Sequence, residues 1–124
     1  MTRLLAIAAG GAVGALLRYW VSTGMHVLLG RDFPYGTLTV NVTGCLAMGF
    51  LSVLFLERME VGPEWRAAIL IGLLGAFTTF STFSIETFNL IEGAQYFKAG
   101  LNMTLSLAAC MVATWVGVLG GRTL

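Results

Sequence analysis

Charge is what this sequence has least of. Of 124 residues, seven are Lys or Arg and six are Asp or Glu, against a hydrophobic share of 57%. A soluble domain carries about 25% charged residues, so a water-exposed globular surface is excluded. Cysteine is scarce as well, with Cys45 and Cys110 standing alone inside apolar runs, which excludes a disulfide framework and a paired-spacing metal site. Both read as small buried hydrophobes. The single histidine, His26, has neither a carboxylate nearby in sequence nor a second histidine, so it reads as a helix-end or interfacial residue and not as a metal or haem ligand. No glycine-rich phosphate loop is present. The sequence holds no enzyme constellation, and no nucleic-acid partner is expected.

What is present is four long, almost charge-free stretches: Leu4 to Leu29, broken by Arg18, then Leu38 to Leu56, Ala67 to Ile85, and Ala99 to Gly121. Each reaches the roughly 17–25 residues that a helix needs to cross about 30 Å of hydrocarbon. In lipid every backbone N–H and C=O must be satisfied within the protein, so helices are required. The expected fold is an all-α membrane domain of four transmembrane helices occupying residues 1–124. Most charged residues fall in the gaps, as do Pro34 and Pro63. Arg3 and the Ala6-Ile7-Ala8 stretch resemble a secretory signal. The run continues past Arg18 with three more spans behind it, so it is read as a retained first helix. The glycosylation patterns at Asn41 and Asn102 lie within spans and are set aside.

Orientation is close to balanced. Four spans put both termini and the middle loop on one side with four basic residues, Arg3, Arg58, Arg66 and Arg122, against two, Arg31 and Lys98, on the other. This is a small excess for the rule that retains positive loops on the cytoplasmic side. Such a chain either inserts one way under a weak bias or inserts both ways and pairs antiparallel, as inverted repeats do in larger transporters. The small-residue spacings Gly10–Gly14 and Gly117–Gly121 permit close helix approach, within the chain or between copies.

Polar groups within spans are expensive and therefore informative. The first span has Arg18, the second Asn41, and the third the stretch GAFTTFSTFSIET, Gly75 to Thr87, with six hydroxyl side chains, three phenylalanines and Glu86. Gly72 and Gly75 weaken the third helix, and Thr78, Thr79, Ser81 and Thr82 compete for its backbone hydrogen bonds, so a break is expected near Gly75 to Thr79. A broken helix offers carbonyls to a cation and N–H groups to an anion. The plain alternative, favoured for any single hydroxyl, is a bond back to the preceding turn. Together, Ser81, Thr82 and Glu86 lie at spacings that form a polar track, flanked by Phe80 and Phe83. An aromatic stripe is more often packing, yet ring edges are positive and suit an anion.

Three segments, GGAVGALLRY, GTLTVNVTGCLAMG and GLLGAFTTFSTFSIE, in this order, resemble the Fluc (CrcB-type) family of small bacterial fluoride channels. The resemblance covers most of the chain; the fourth span is generic. It implies an antiparallel dual-topology homodimer in the bacterial inner membrane, with two fluoride pores lined by both subunits and passive efflux. Asn41, Phe80 and Phe83 match the family's pore asparagine and paired pore phenylalanines, with Ser81 and Thr82 beside them. Arg18 matches the first-span arginine of the vestibule, and Glu86 is placed at the pore mouth. Gly75 and Thr78 match the helix break whose carbonyls hold a structural sodium ion at the dimer centre. Some members carry a tyrosine near Asn102, a departure that leaves the far end of the path open to Ser106 and Thr114. The alternative function, a small multidrug-type proton-coupled exporter, requires an acid in the first span, where this chain has Arg18.

Overall fold

The computed structural model describes residues 2–124. Among the described residues there are four helical spans long and apolar enough to cross a membrane, Thr2–Leu29, Tyr35–Arg58, Pro63–Glu92 and Tyr96–Thr123. The expected spans lie inside these, and each helix runs a few residues further. Glu57, Arg58, Glu64, Arg66, Glu92 and Lys98 delimit the apolar runs in sequence, but they occupy helical turns that project beyond those runs.

We label the helices α1 (Thr2–Leu29), α2 (Tyr35–Arg58, its last turn widened at Leu54–Arg58), α3 (residues 63–77), α4 (Phe80–Glu92) and α5 (Tyr96–Thr123). Pro63 opens α3 at the position where its missing N–H costs nothing. Within α3, Ala67–Leu73 is wound as a wide π-helical stretch between two short α-helical turns. Gly30, at φ 88°, ends α1 in the left-handed conformation, and its N–H bonds to His26 O at 2.8 Å. His26 thus sits in the last turn of α1, as expected.

The helices pack in two close pairs, α1 with α3 and α2 with α5. Both depend on glycine. A Cβ on Gly10 would collide with the Ala68 carbonyl, and one on Gly14 with the Leu73 carbonyl. From the other side, a Cβ on Gly72 would stand 2.6 Å from Ile7 O. Gly72, expected to weaken the third helix, instead lets α1 and α3 touch backbone to backbone. In the second pair Gly49 lies on the Thr114 carbonyl, Gly117 on the Leu46 carbonyl, and Gly121 against Val53. Both small-residue spacings are therefore used within the chain. In lipid, where apolar side chains gain nothing by leaving the solvent, this backbone proximity provides the dispersion contact that holds the bundle.

The polar ends are tied by few bonds. Arg122 Nε lies 3.6 Å from Glu57 Oε1, and Arg58 donates to Arg122 O at 2.8 Å, joining the ends of α2 and α5. At the opposite end Lys98 Nζ donates to Asp32 O at 3.1 Å. The charged residues thus separate into the two groups expected from an even number of spans.

Helix α4 closes with Gln95 N donating to Leu90 O at 2.8 Å and Ala94 N to Ile91 O at 3.0 Å, a Schellman motif. Its left-handed position is filled by Ala94, at φ 60°. For an L-residue with a Cβ this conformation costs roughly 1–2 kcal/mol. Part of the gain on removing the Cβ is offset by glycine's greater freedom in the unfolded chain. Ala94→Gly is therefore expected to raise stability by about 0.5–1 kcal/mol, read as a higher midpoint of thermal unfolding in detergent. A lower midpoint would contradict this backbone assignment.

Candidate functional site

The third span breaks at Thr78 and Thr79, within the expected stretch. Thr78 (φ −81°, ψ 157°) and Thr79 (φ −152°, ψ 121°) are extended, and α4 starts at Phe80. Gly75 lies inside the helical turn before the break. The break is made by the two threonines. Thr78 Oγ1 and Thr78 N both bond to Leu74 O, each at 3.1 Å, closing α3. Thr79 Oγ1 caps α4 by accepting from Thr82 N at 3.2 Å.

Asn41, on α2, holds the break. Its Nδ2 donates to Thr79 O at 2.9 Å and its Oδ1 accepts from Thr79 N at 2.8 Å. The asparagine side chain thus acts as a second backbone strand for Thr79, a residue that has left the helix. Thr79 N, which would otherwise close a turn on Gly75 O, is committed to Asn41. One Asn41 N–H remains for another acceptor.

Two cavities meet at this point. The first, about 170 Å³, is lined by Arg18, Tyr19, Ser22, Thr37, Val40, Thr79 and Thr82. It brings the first-span arginine to the hydroxyls of the break. The second, about 510 Å³, is lined by Asn41, Thr78, Thr79, Phe80, Phe83 and Ser106, with Cys45, Met103, Leu107 and Cys110 on its far wall. The Phe80 and Phe83 rings stand 5.3 Å apart at 44°, tilted so that edges as well as faces are presented. Phe80 is 78% exposed, so this groove opens away from the chain rather than being enclosed by it.

The polar track divides. Thr82 faces the Arg18 cavity, whereas Ser81 lies with Phe80, Ser84, Ile85 and Phe88 on the outer face of α4. Adjacent helical residues point about 100° apart, and the spacing that groups Ser81 with Thr82 ignores this. Their hydroxyls meet at Thr79 Oγ1, 3.4 Å from Ser81 Oγ and 3.1 Å from Thr82 Oγ1. Glu86, expected at a mouth, is in the middle of α4, and its Oε1 is buried without a hydrogen-bond partner among the described residues. Elsewhere the plain reading of hydroxyls holds: Thr43, Thr87 and Thr114 bond to carbonyls four residues back.

A buried chain of polar side chains went unnoticed in sequence. Ser106 Oγ donates to Asn102 Oδ1 at 3.2 Å, Asn102 Nδ2 to Thr87 Oγ1 at 2.8 Å, and Thr87 Oγ1 to Phe83 O at 2.8 Å. It runs from the wall of the groove to the carbonyl of a groove phenylalanine. The signal was an amide side chain within an apolar span, Asn102, which is 2% exposed.

A helix broken at membrane depth, bridged by an asparagine and flanked by hydroxyls and an arginine, defines a multi-pass membrane protein with a polar site inside its bundle. The chain belongs to the CrcB family: the model for "CrcB-like protein, Camphor Resistance (CrcB)" matches residues 5–118. Curated relatives named fluoride-specific ion channel FluC include one from Coxiella burnetii, 52% identical over 98% of both chains. Another, from Geobacter sulfurreducens, is 48% identical over the full length of both. A third, from Methylococcus capsulatus, is 55% identical over 98% of this chain, which spans 53% of that relative.

Asn41→Ala would leave Thr79 N–H and C=O without their partner. At about 1–3 kcal/mol for each of the two unmet groups, a loss of about 2–6 kcal/mol is expected, measured by equilibrium unfolding in detergent micelles. Unchanged stability would mean that Thr79 does not depend on Asn41.

Proposed function

We propose that the chain is a fluoride-selective channel that passes the ion down its electrochemical gradient. In this reading two copies pair antiparallel in the bacterial inner membrane, and each open groove is closed into a pore by the partner. The observation that carries it is the convergence of Asn41, Phe80, Phe83 and the break hydroxyls on one groove that a single chain leaves open. Membership of a family whose relatives are named fluoride channels supports it. It disfavours a proton-coupled exporter, as does the arginine in the first span.

The physical problem is dehydration. Moving a small anion from water to a low-dielectric medium costs tens of kcal/mol by a Born estimate unless its lost hydration is replaced. Donors are present in sequence along the site. Arg18 supplies positive charge beside Thr79 and Thr82, drawing anions into the vestibule. The N-terminus of α4 points its partial positive charge at the break, beside Phe80. The free Asn41 N–H, the hydroxyls of Ser81 and Thr82, and the positive edges of Phe80 and Phe83 then take the place of water. Several weak positions in a narrow file let the ion leave, and their size disfavours larger halides.

The other side of the break suits a cation. Helix α3 ends there, its carbonyls carrying partial negative charge. The turn that would have occupied Gly75 O is taken by Asn41, and a Cβ on Gly75 would meet nothing nearer than Leu70 O at 3.8 Å. The carbonyls of Gly75 and Thr78, two from each copy, would hold a sodium ion at the dimer centre. The ion supplies the positive charge that lets like carbonyl ends meet.

In liposomes, the protein is expected to release fluoride to an ion-selective electrode and to leave chloride inside. Phe80→Ile is expected to slow release at least about tenfold, about 1.4 kcal/mol. No fluoride flux, or equal chloride flux, contradicts the assignment. Replacing sodium by a large organic cation throughout purification is expected to dissociate the dimer on size exclusion or reduce flux. An intact, fully conducting dimer would remove the sodium assignment.

A further inference from the structure

The far wall of the groove carries a group that anion passage does not use, the thiols of Cys45 and Cys110. Helices α2 and α5 run in the same direction, with Gly49 set on Thr114 and Gly117 on Leu46. One turn before Gly49 is Cys45, and two turns before Gly117 is Cys110, so both lie on the helix faces that these glycines bring together. The glycines at 49 and 117 remove the side chains that would hold these helices apart. Both cysteines line the same groove as Asn41, Phe80 and Phe83, and Cys45 is the titratable neighbour of the Cys110 thiol. Neither is fully buried, and neither is in a disulfide.

We propose that Cys45 and Cys110 form a dithiol site for a soft, two-coordinate metal ion of the mercuric class, set in the wall of the groove. Binding makes two sulfur–metal bonds and breaks two S–H bonds, with both protons released to solvent and no change of oxidation state. Thiolates select soft metals over hard cations. Among the described residues no cluster of three or more His, Cys, Asp or Glu offers a four-coordinate zinc site. A divalent ion on two thiolates is neutral, so no net charge is left in an apolar wall. Once one sulfur is bound the second bond is intramolecular, so the pair outcompetes separate monothiols. That the bound metal also obstructs conduction rests on the reading of this groove as the anion path.

Mercuric chloride, titrated into the purified protein against excess 2-mercaptoethanol, tests the site. The expected result is one ion per chain, both free thiols lost together, and an ultraviolet sulfur–mercury charge-transfer band. Retention against the competitor should be at least about tenfold stronger than in Cys45→Ser or Cys110→Ser. Two ions per chain, or single variants that retain metal as well as the parent, would overturn the site. If either variant fails to fold, phenylarsine oxide on the unaltered protein decides. It condenses with two neighbouring thiols, releasing water, and must protect both cysteines from alkylation; leaving both reactive overturns the pair. Fluoride flux read in parallel is expected to fall at least about tenfold and to recover on adding a dithiol chelator. One-to-one binding with undiminished flux supports the site and removes the groove from the anion path. Absence of fluoride flux before any metal is added removes the channel reading and leaves the binding result standing.

Discussion

A bilayer supplies no hydrogen bonds, so a transmembrane helix can be broken only where the protein itself satisfies the freed backbone. Everything in this site depends on how that condition is met at Thr79. Its N–H and C=O are both taken by one side chain, Asn41, from the neighbouring helix. The exchange turns what would be a fault in the third span into two usable helix ends, carbonyls of α3 on one side and amides of α4 on the other. An alanine at position 41 could not do this, and an aspartate would set an oxygen against the Thr79 carbonyl. The amide alone offers a donor and an acceptor at the spacing of a peptide group.

The rest of the bundle holds α2 and α3 close enough for that exchange. Glycines at 10, 14 and 72 join α1 to α3, and those at 49, 117 and 121 join α2 to α5, by backbone contact. Helix α4 is held differently, chiefly against α5, with Phe80, Ser81, Ser84 and Phe88 facing outward. In the most apolar stretch of each span, at most 22% of the residues are buried within the chain. The polar groups of α4 on this side stay open in the single chain.

Much of this was legible in the residues, for identifiable reasons. Span number followed from the length of charge-free runs, and span ends were underestimated because a helix does not stop where hydrophobicity does. The break was legible because Thr78, Thr79, Ser81 and Thr82 crowd one segment. Its cause was only half visible: glycine was held responsible, whereas Gly72 serves packing and two threonines adopt the extended turn. Asn41 was marked by its cost in lipid, but its partner lies 38 residues away, and no local pattern encodes such a pairing. The division of Ser81 from Thr82 depends on where α4 starts, which the apolar run does not mark. The Ser106–Asn102–Thr87 chain stayed hidden because its central bond joins two different spans, and no local pattern pairs Asn102 with Thr87.

The exchange at Thr79 can be observed directly by amide hydrogen exchange, resolved at that residue in micelles. Thr79 N–H is expected to be protected to the same degree as amides inside α4, although it belongs to no helix. In Asn41→Ala it should exchange at least about tenfold faster while the α4 amides keep their rates. A Thr79 amide that exchanges at the same rate in both proteins would contradict the central claim that Asn41 holds the broken helix.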